Sequence, residues 1–136
     1  TPLGLAMGGG GLELTSRTLG KLGQLFLDQG RVGERQGLPR DWIESSMTPQ
    51  VAIDDGRGYE YGYLLWIQPF TLGDRTLHAR LMNGNGGNKV IIQPETGSVT
   101  VITATNYGQR DAHAKSEWLY QDYILPELFR RSGARE

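Results

Sequence analysis

The chain contains no cysteine, so disulfides and thiolate metal sites are excluded and composition leaves the redox compartment open. Histidine is nearly as scarce: His78 and His113 are the two copies, and they form no His-x-x-x-His or His-Glu-x-x-His pair that would favour zinc. No apolar run approaches the ~20 residues needed to span a bilayer. A dominant charge is missing as well. The net charge is −1 and the pI is near 6.1, with acidic and basic residues interspersed, so no strong field attracts nucleic acid or an anionic membrane. The 136 residues suit one domain. Thr1-Pro2-Leu3 has no initiator Met, basic n-region or signal-peptide core, as in a processed protein or an excised piece.

Glycine, in contrast, is abundant. There are 20, about twice the usual ~7% share, and they cluster at Gly8 to Gly11 and Gly84 to Gly87. Such clusters mark particular backbone positions, because the segments between them are strongly patterned.

Residues 1–14 are expected to form a loop. Thr15 or Ser16 can cap a helix running to about Gln29, with Leu19, Leu22, Leu25 and Phe26 at helical spacing and Gly30 at its C′ position. Gly20 and Gly23 weaken that helix by about 1 kcal/mol each relative to Ala, which implies a close-packed neighbour. A turn over Gly33 to Gly37 precedes a short helix opened by Pro39, which carries Trp42, Ile43 and Met47 and stops before Pro49.

After the polar stretch Asp54 to Gly58 the period becomes two. Tyr59, Tyr61, Tyr63, Leu65 and Ile67 alternate with Glu60, Gly62, Leu64, Trp66 and Gln68, which predicts one strand covered on both faces. A turn at Gly73-Asp74 leads to a second strand over Leu77 to Met82. Two β-branched runs, Lys89 to Gln93 and Ser98 to Thr105, are joined by the hairpin signal Pro94-Glu95-Thr96-Gly97. Asp111 can cap a final helix bearing Trp118, Leu119, Tyr123, Ile124 and Leu128, with an interruption at Pro126. The order predicts an α+β fold of late helices over 15–47, about four antiparallel strands over 59–105 and a C-terminal helix over 111–130.

Chemistry is sparse in this chain. Gly84-Asn85-Gly86-Gly87-Asn88-Lys89 lacks the Walker spacing and leads into a strand, so neither a phosphate loop nor a dinucleotide fingerprint fits. Two uses remain for it: a glycine-rich entry to an edge strand, or a strand end where a substrate meets backbone N–H groups. His78 and His113 are expected to be surface or structural residues. Asp54, Asp55 and Asp74 sit in turn contexts. Tyr59, Tyr61, Tyr63 and Trp66 are a possible stacking platform, although strand alternation favours core packing for them. No cofactor motif is present.

Four ordered stretches carry a further signal. Gly9 to Leu25 is similar to the pattern GGGLxLTxRDLxKxGQL, and Arg31 to Ile43 to a turn followed by LP-x-x-W. Tyr61-Gly62-Tyr63-Leu64-Leu65-Trp66 is similar to YGYGWW, while Gly84-Asn85-Gly86-Gly87-Asn88, Pro94 and Asn106-Tyr107 are similar to GNGGQ…P…NY. Together, from about residue 8 to 129, they resemble the β-lactamase/penicillin-binding-protein-like serine hydrolases, which include class C β-lactamases, DD-peptidases and related esterases and amidases.

The resemblance implies the C-terminal portion of a β-lactamase-like α/β domain, an antiparallel sheet packed by helices. The N-terminal catalytic part would be absent from it, and the missing N-terminal part or a second copy would cover an exposed sheet edge. It further implies acyl-enzyme chemistry on a small-molecule or peptide substrate, without cofactor or nucleic acid, in a protein exported to the bacterial periplasm. The family's Ser-x-x-Lys and Tyr-x-Asn motifs do not occur here. The nearest match to the first is Thr18-Leu19-Gly20-Lys21, which is expected on a helix surface. The third motif would fall on Met82-Asn83-Gly84, with Met82 in place of a Lys or His. The Asn85 N–H would then serve as an oxyanion donor, and Gly86 and Gly87 would leave room for substrate.

Overall fold

The computed structural model describes Gly4 and residues 11–133; Gly8, Gly9 and Gly10 of the first glycine cluster lie outside the described residues. The first helix, α1, spans Ser16–Leu27, and the Thr15 side chain caps it by accepting from the Thr18 N–H at 3.2 Å. At its other end Gln29 N–H bonds to Phe26 O and Gly30 N–H to Leu25 O. This two-bond closure puts Gln29 (φ 54°) at C′ and Gly30 (φ 83°) one step beyond it, both at positive φ, so the expected C′ glycine is displaced by one residue. A two-stranded hairpin follows, β1 (Arg31–Val32) with β2 (Arg35–Gln36), and then α2 (Arg40–Met47).

Six strands form the main sheet. They are β3 (Val51–Ala52), β4 (Glu60–Tyr61), β5 (Trp66–Leu72), β6 (Arg75–Gly84), β7 (Asn88–Gln93) and β8 (Ser98–Ile102), an antiparallel meander in chain order. The fold is α+β. The single strand expected across 59–68 is instead a hairpin, closed by Gly62 N–H to Leu65 O at 2.8 Å with Leu64 at φ 61°. Tertiary contacts impose this turn: a Cβ on Gly62 would lie 2.2 Å from Ser46 O, Tyr63 N–H bonds to that same carbonyl, and the Tyr63 ring stacks on Trp42. The turn also changes which residues share a face. Tyr61 pairs with Trp66 and meets its ring edge-on at 5.0 Å, although simple alternation puts them on opposite sides.

The last segment is one continuous rod: α3 (Ala112–Leu119), a π-helical turn (Tyr120–Ile124) and α4 (Leu125–Ser132). The wider turn falls directly before Pro126, whose missing N–H and bulky ring are incompatible with the ordinary i→i−4 ladder. The rod covers one sheet face, where Phe70, Leu77, Ala79, Leu81 and Ile91 pack against Tyr120, Leu125 and Phe129. Burying each large apolar side chain there contributes about 1.5–3 kcal/mol. Helix α1 lies on the opposite face, over β7 and β8.

Gly23 is where α1 comes closest. A Cβ there would stand 2.5 Å from Val99 Cγ1 and 2.9 Å from Val90 Cγ1, whereas one on Gly20 would lie at an ordinary 3.8 Å from Val101 Cγ2. Gly23→Ala should therefore destabilise by about 1–3 kcal/mol through overpacking, and Gly20→Ala should stabilise by about 1 kcal/mol through helix propensity. Urea unfolding of the two variants beside the parent checks both signs.

Candidate functional site

At the end of the sheet where β6 turns into β7, the face beneath α3 changes from apolar to polar. Strand alternation places Leu77, Ala79 and Leu81 in the core, and the same row continues to Asn83; on β7, Lys89 shares the row of Ile91 and Gln93. Asn83 and Lys89 are direct cross-strand partners. On the helix above, His113 and Glu117 are one turn apart and face them.

Lys89 is buried, at 2% exposure. Its Nζ donates to Asn83 Oδ1 at 2.9 Å and to Glu117 Oε1 at 2.9 Å, and it lies 3.5 Å from His113 Nδ1. Those contacts occupy the three donors of the ammonium. Burial pushes its pKa below the ordinary lysine value, while hydrogen bonding and charge attraction from Glu117 act in the opposite direction. His113 is likewise held below the usual range, first by burial and then by the neighbouring Lys89 charge. Tyr59 donates to Glu117 Oε2 at 3.4 Å, and its phenol is raised, mainly by burial and next by the Glu117 charge.

Above this cluster lies a cavity of about 310 Å³, bounded by Tyr59, Trp66 and Gln68 on one side and by Asn83, Gly84 and Asn85 on the other. Arg57 stands at the rim. It is held by a salt bridge to Asp55, and its guanidinium lies over the Tyr59 ring at 4.3 Å. The Gln68 side chain is 2% exposed. Its Nε2 reaches towards Glu117 Oε1 at 3.5 Å, and its Oε1 has no hydrogen-bond partner among the described residues.

The glycine-rich turn is rigid for identifiable reasons. Asn88 Nδ2 donates to Asn85 O at 2.7 Å and to Ala104 O at 2.9 Å, while its Oδ1 accepts from Ala104 N–H. Gly86 and Gly87 have φ of 76° and 88° and are buried. A Cβ on Gly86 would meet the Tyr107 ring at 2.9 Å, and one on Gly87 would meet Ala112 O at 2.5 Å. Ser116 Oγ donates to Gly87 O at 2.6 Å and so ties the turn to α3.

Of the residues singled out in the sequence, Asn83, Gly84 and Asn85 line the cavity together. Gly86 and Gly87 lie behind it, with Tyr107 and α3 filling the space beside them. Met82 pairs with Val90 and points to the α1 face, away from Asn83. Lys89, Glu117, Gln68 and Arg57 belong to the site as well, although none of them falls in a recognisable motif. A lysine in the same alternating row as Ile91 was a detectable sign of burial, and the i, i+4 spacing of His113 and Glu117 was a sign of a shared helix face. The contact of Arg57 depended on loop geometry and left no such sign.

Among the described residues, no group of three or more His, Asp or Glu side chains is placed to hold a metal ion. Nor is any helix among them long and apolar enough to cross a membrane. In comparison with known proteins, no family model and no curated protein matches the chain.

The Lys89–Glu117 pair makes stability predictable. Glu117→Gln leaves a buried ammonium without its counter-charge and should cost about 3 kcal/mol, whereas combining it with Lys89→Met should recover most of that loss. Thermal unfolding of the single and double variants measures the coupling. The pH dependence has a definite sign too. The unfolded chain protonates Lys89 at its ordinary 10.5 and His113 at 6.5, and both are lowered in the folded state. Stability should therefore rise with pH up to each of these values. Urea titrations across pH should lose the upper slope in Lys89→Met and the slope just below 6.5 in His113→Gln.

Proposed function

We propose that this chain forms one wall of an acyl-transfer site, as the C-terminal part of a serine hydrolase of the β-lactamase/penicillin-binding-protein type. Its substrates would carry amide, lactam or ester bonds. The observation that carries this reading is the turn Gly84 to Gly87: a backbone bracket, locked from behind by Asn88, Tyr107 and Ser116, that leaves Asn85 exposed at a cavity rim. A preorganised N–H at such a place is what a developing oxyanion requires. The α+β sheet packed by helices on both faces supports the same reading.

The chain has no Ser-x-x-Lys, so the nucleophile and its base would come from a preceding N-terminal part. The serine oxygen attacks the carbonyl carbon while its proton passes to the lysine. The tetrahedral oxyanion is held by the serine N–H and the Asn85 N–H. The C–N or C–O bond then breaks, the leaving group takes up the proton, and water hydrolyses the acyl-enzyme. Residues 1–136 alone are expected to be inactive. Strand β8 has a strand neighbour on one side only among the described residues, which is the edge a missing N-terminal part or a second copy would pair with.

A second reading, a non-catalytic ligand-binding or cell-wall-associated module, is favoured by one observation: among the described residues, no serine or threonine lines the cavity. One labelling experiment separates the two. The upstream-extended gene product is treated with a fluorophosphonate or a fluorescent penicillin, and its intact mass is then read. A stoichiometric adduct on an N-terminal peptide supports the hydrolase; a folded protein unlabelled by both probes supports the module. In a labelled protein, Asn85→Pro removes the N–H at the first position of a 3-10 turn that accepts proline's φ. It should slow acylation by about 10²–10³-fold.

A further inference from the structure

We infer that the cavity between β5, β6 and α3 binds its ligand through a carbonyl-type oxygen, with Asn83 Nδ2 as the group that donates to it. This rests on the side chains of the cavity and not on the acyl-transfer reading.

Lys89 fixes the polarity of the cavity floor. Its ammonium has donors only, so the oxygen of the Asn83 amide must face it, as Oδ1 does at 2.9 Å. Exchanging the two ends of that amide would set an NH2 group against a buried cation. Nδ2 is thereby turned away from Lys89, and it has no hydrogen-bond partner among the described residues. Nor is it enclosed. Among those residues the one enclosed and unpartnered side-chain polar atom is Gln68 Oε1, and Asn83 lines the cavity. The same ammonium faces Nδ1 of His113, so the neutral imidazole carries its proton on Nε2.

The other walls repeat this polarity. Trp66 pairs with Leu81, which puts it on the same sheet face as Asn83, two residues further along β6. Its indole N–H also has no partner among the described residues and is not enclosed. Arg57 gives Nε and Nη2 to Asp55, which leaves Nη1 at the rim. The acceptors, in contrast, are engaged or enclosed. Glu117 Oε1 takes Lys89 and Gln68, Glu117 Oε2 takes Tyr59, and Gln68 Oε1 is out of reach. Asn85, exposed at the rim, adds one donor and one acceptor. Free donors therefore outnumber free acceptors. A ligand that offers lone pairs satisfies them, and one that offers only N–H groups does not. The volume of about 310 Å³ and the rings of Tyr59 and Trp66 suit a single-ring ligand. Two sources supply such an oxygen, the neutral carbonyl of an amide or ester and the carboxylate of an acid.

Benzamide, benzoate and benzamidine share one ring and one shape and differ in the groups they offer. Each is titrated into the purified 136-residue chain while side-chain amide and indole resonances are followed. Benzamide or benzoate should bind at least tenfold more tightly than benzamidine and shift the Asn83 amide and Trp66 indole signals. The tighter of the two assigns the oxygen: benzamide to a neutral carbonyl, benzoate to a carboxylate. Asn83→Asp keeps an oxygen on Lys89, so Tm should not fall, but it replaces the donor with an acceptor. It should weaken the preferred probe about tenfold and strengthen benzamidine. If that variant does not fold, intermolecular NOEs between the probe's ring protons and the Asn83 side-chain amide of the unchanged protein carry the same test. The inference is overturned if benzamidine binds as tightly as both other probes, if no probe shifts the Asn83 and Trp66 signals, if those NOEs are absent, or if folded Asn83→Asp binds the preferred probe unchanged.

Discussion

A lysine ammonium enclosed between a sheet and a helix has to be answered by charge and hydrogen bonds, because desolvation alone would remove its proton or unfold its surroundings. Lys89 is answered from two directions: Asn83 across the strand pair and Glu117 from the final helix. That requirement sets the position of α3 over the polar end of the sheet. Glu117 also receives Tyr59 and Gln68, so one carboxylate joins β5, β7, the loop before β4 and the last helix. The apolar cluster around Tyr120 and Phe129 provides most of the adhesion between rod and sheet. It does not by itself specify how far along the sheet the rod sits, and the ion pair does.

The glycine-rich turn beside this pair illustrates a division of labour within four residues, Gly84 to Gly87. Gly84 and Asn85 face the cavity, while Gly86 and Gly87 adopt left-handed backbone and accept Tyr107 and the α3 backbone at distances no side chain would allow. Their role is structural and is exerted from behind. Ser116 completes the anchoring, one residue before the carboxylate that binds Lys89. The rigidity of the cavity wall and the placement of its charges therefore come from the same stretch of α3.

Much of the fold was legible. The cap at Thr15, the break after Met47, the hairpin at Pro94 to Gly97 and the strands flanking it follow from capping chemistry, proline stereochemistry and period-two patterning, and each appears in the structure. The site was legible in part: Asn83, Gly84 and Asn85 do meet at one cavity. What misled was alternation across residues 59–68. A two-residue turn does not interrupt the apolar rhythm but reverses the chain, and the docking that forces it, Gly62 on Ser46 O and Tyr63 on Trp42, joins segments distant in sequence.

The sequence by itself determined the α+β class, the order of the elements and the location of the glycine bracket, because these depend on backbone propensities and periodicities that act over a few residues. Tertiary structure alone decided the hairpin at Gly62 to Leu65 and the orphaned carbonyl of Gln68. It also decided that Lys89 and Glu117, twenty-eight residues apart, share a buried hydrogen bond. These features depend on which surfaces meet and how closely, and on what solvent the meeting excludes, and no local stretch of the chain contains that information.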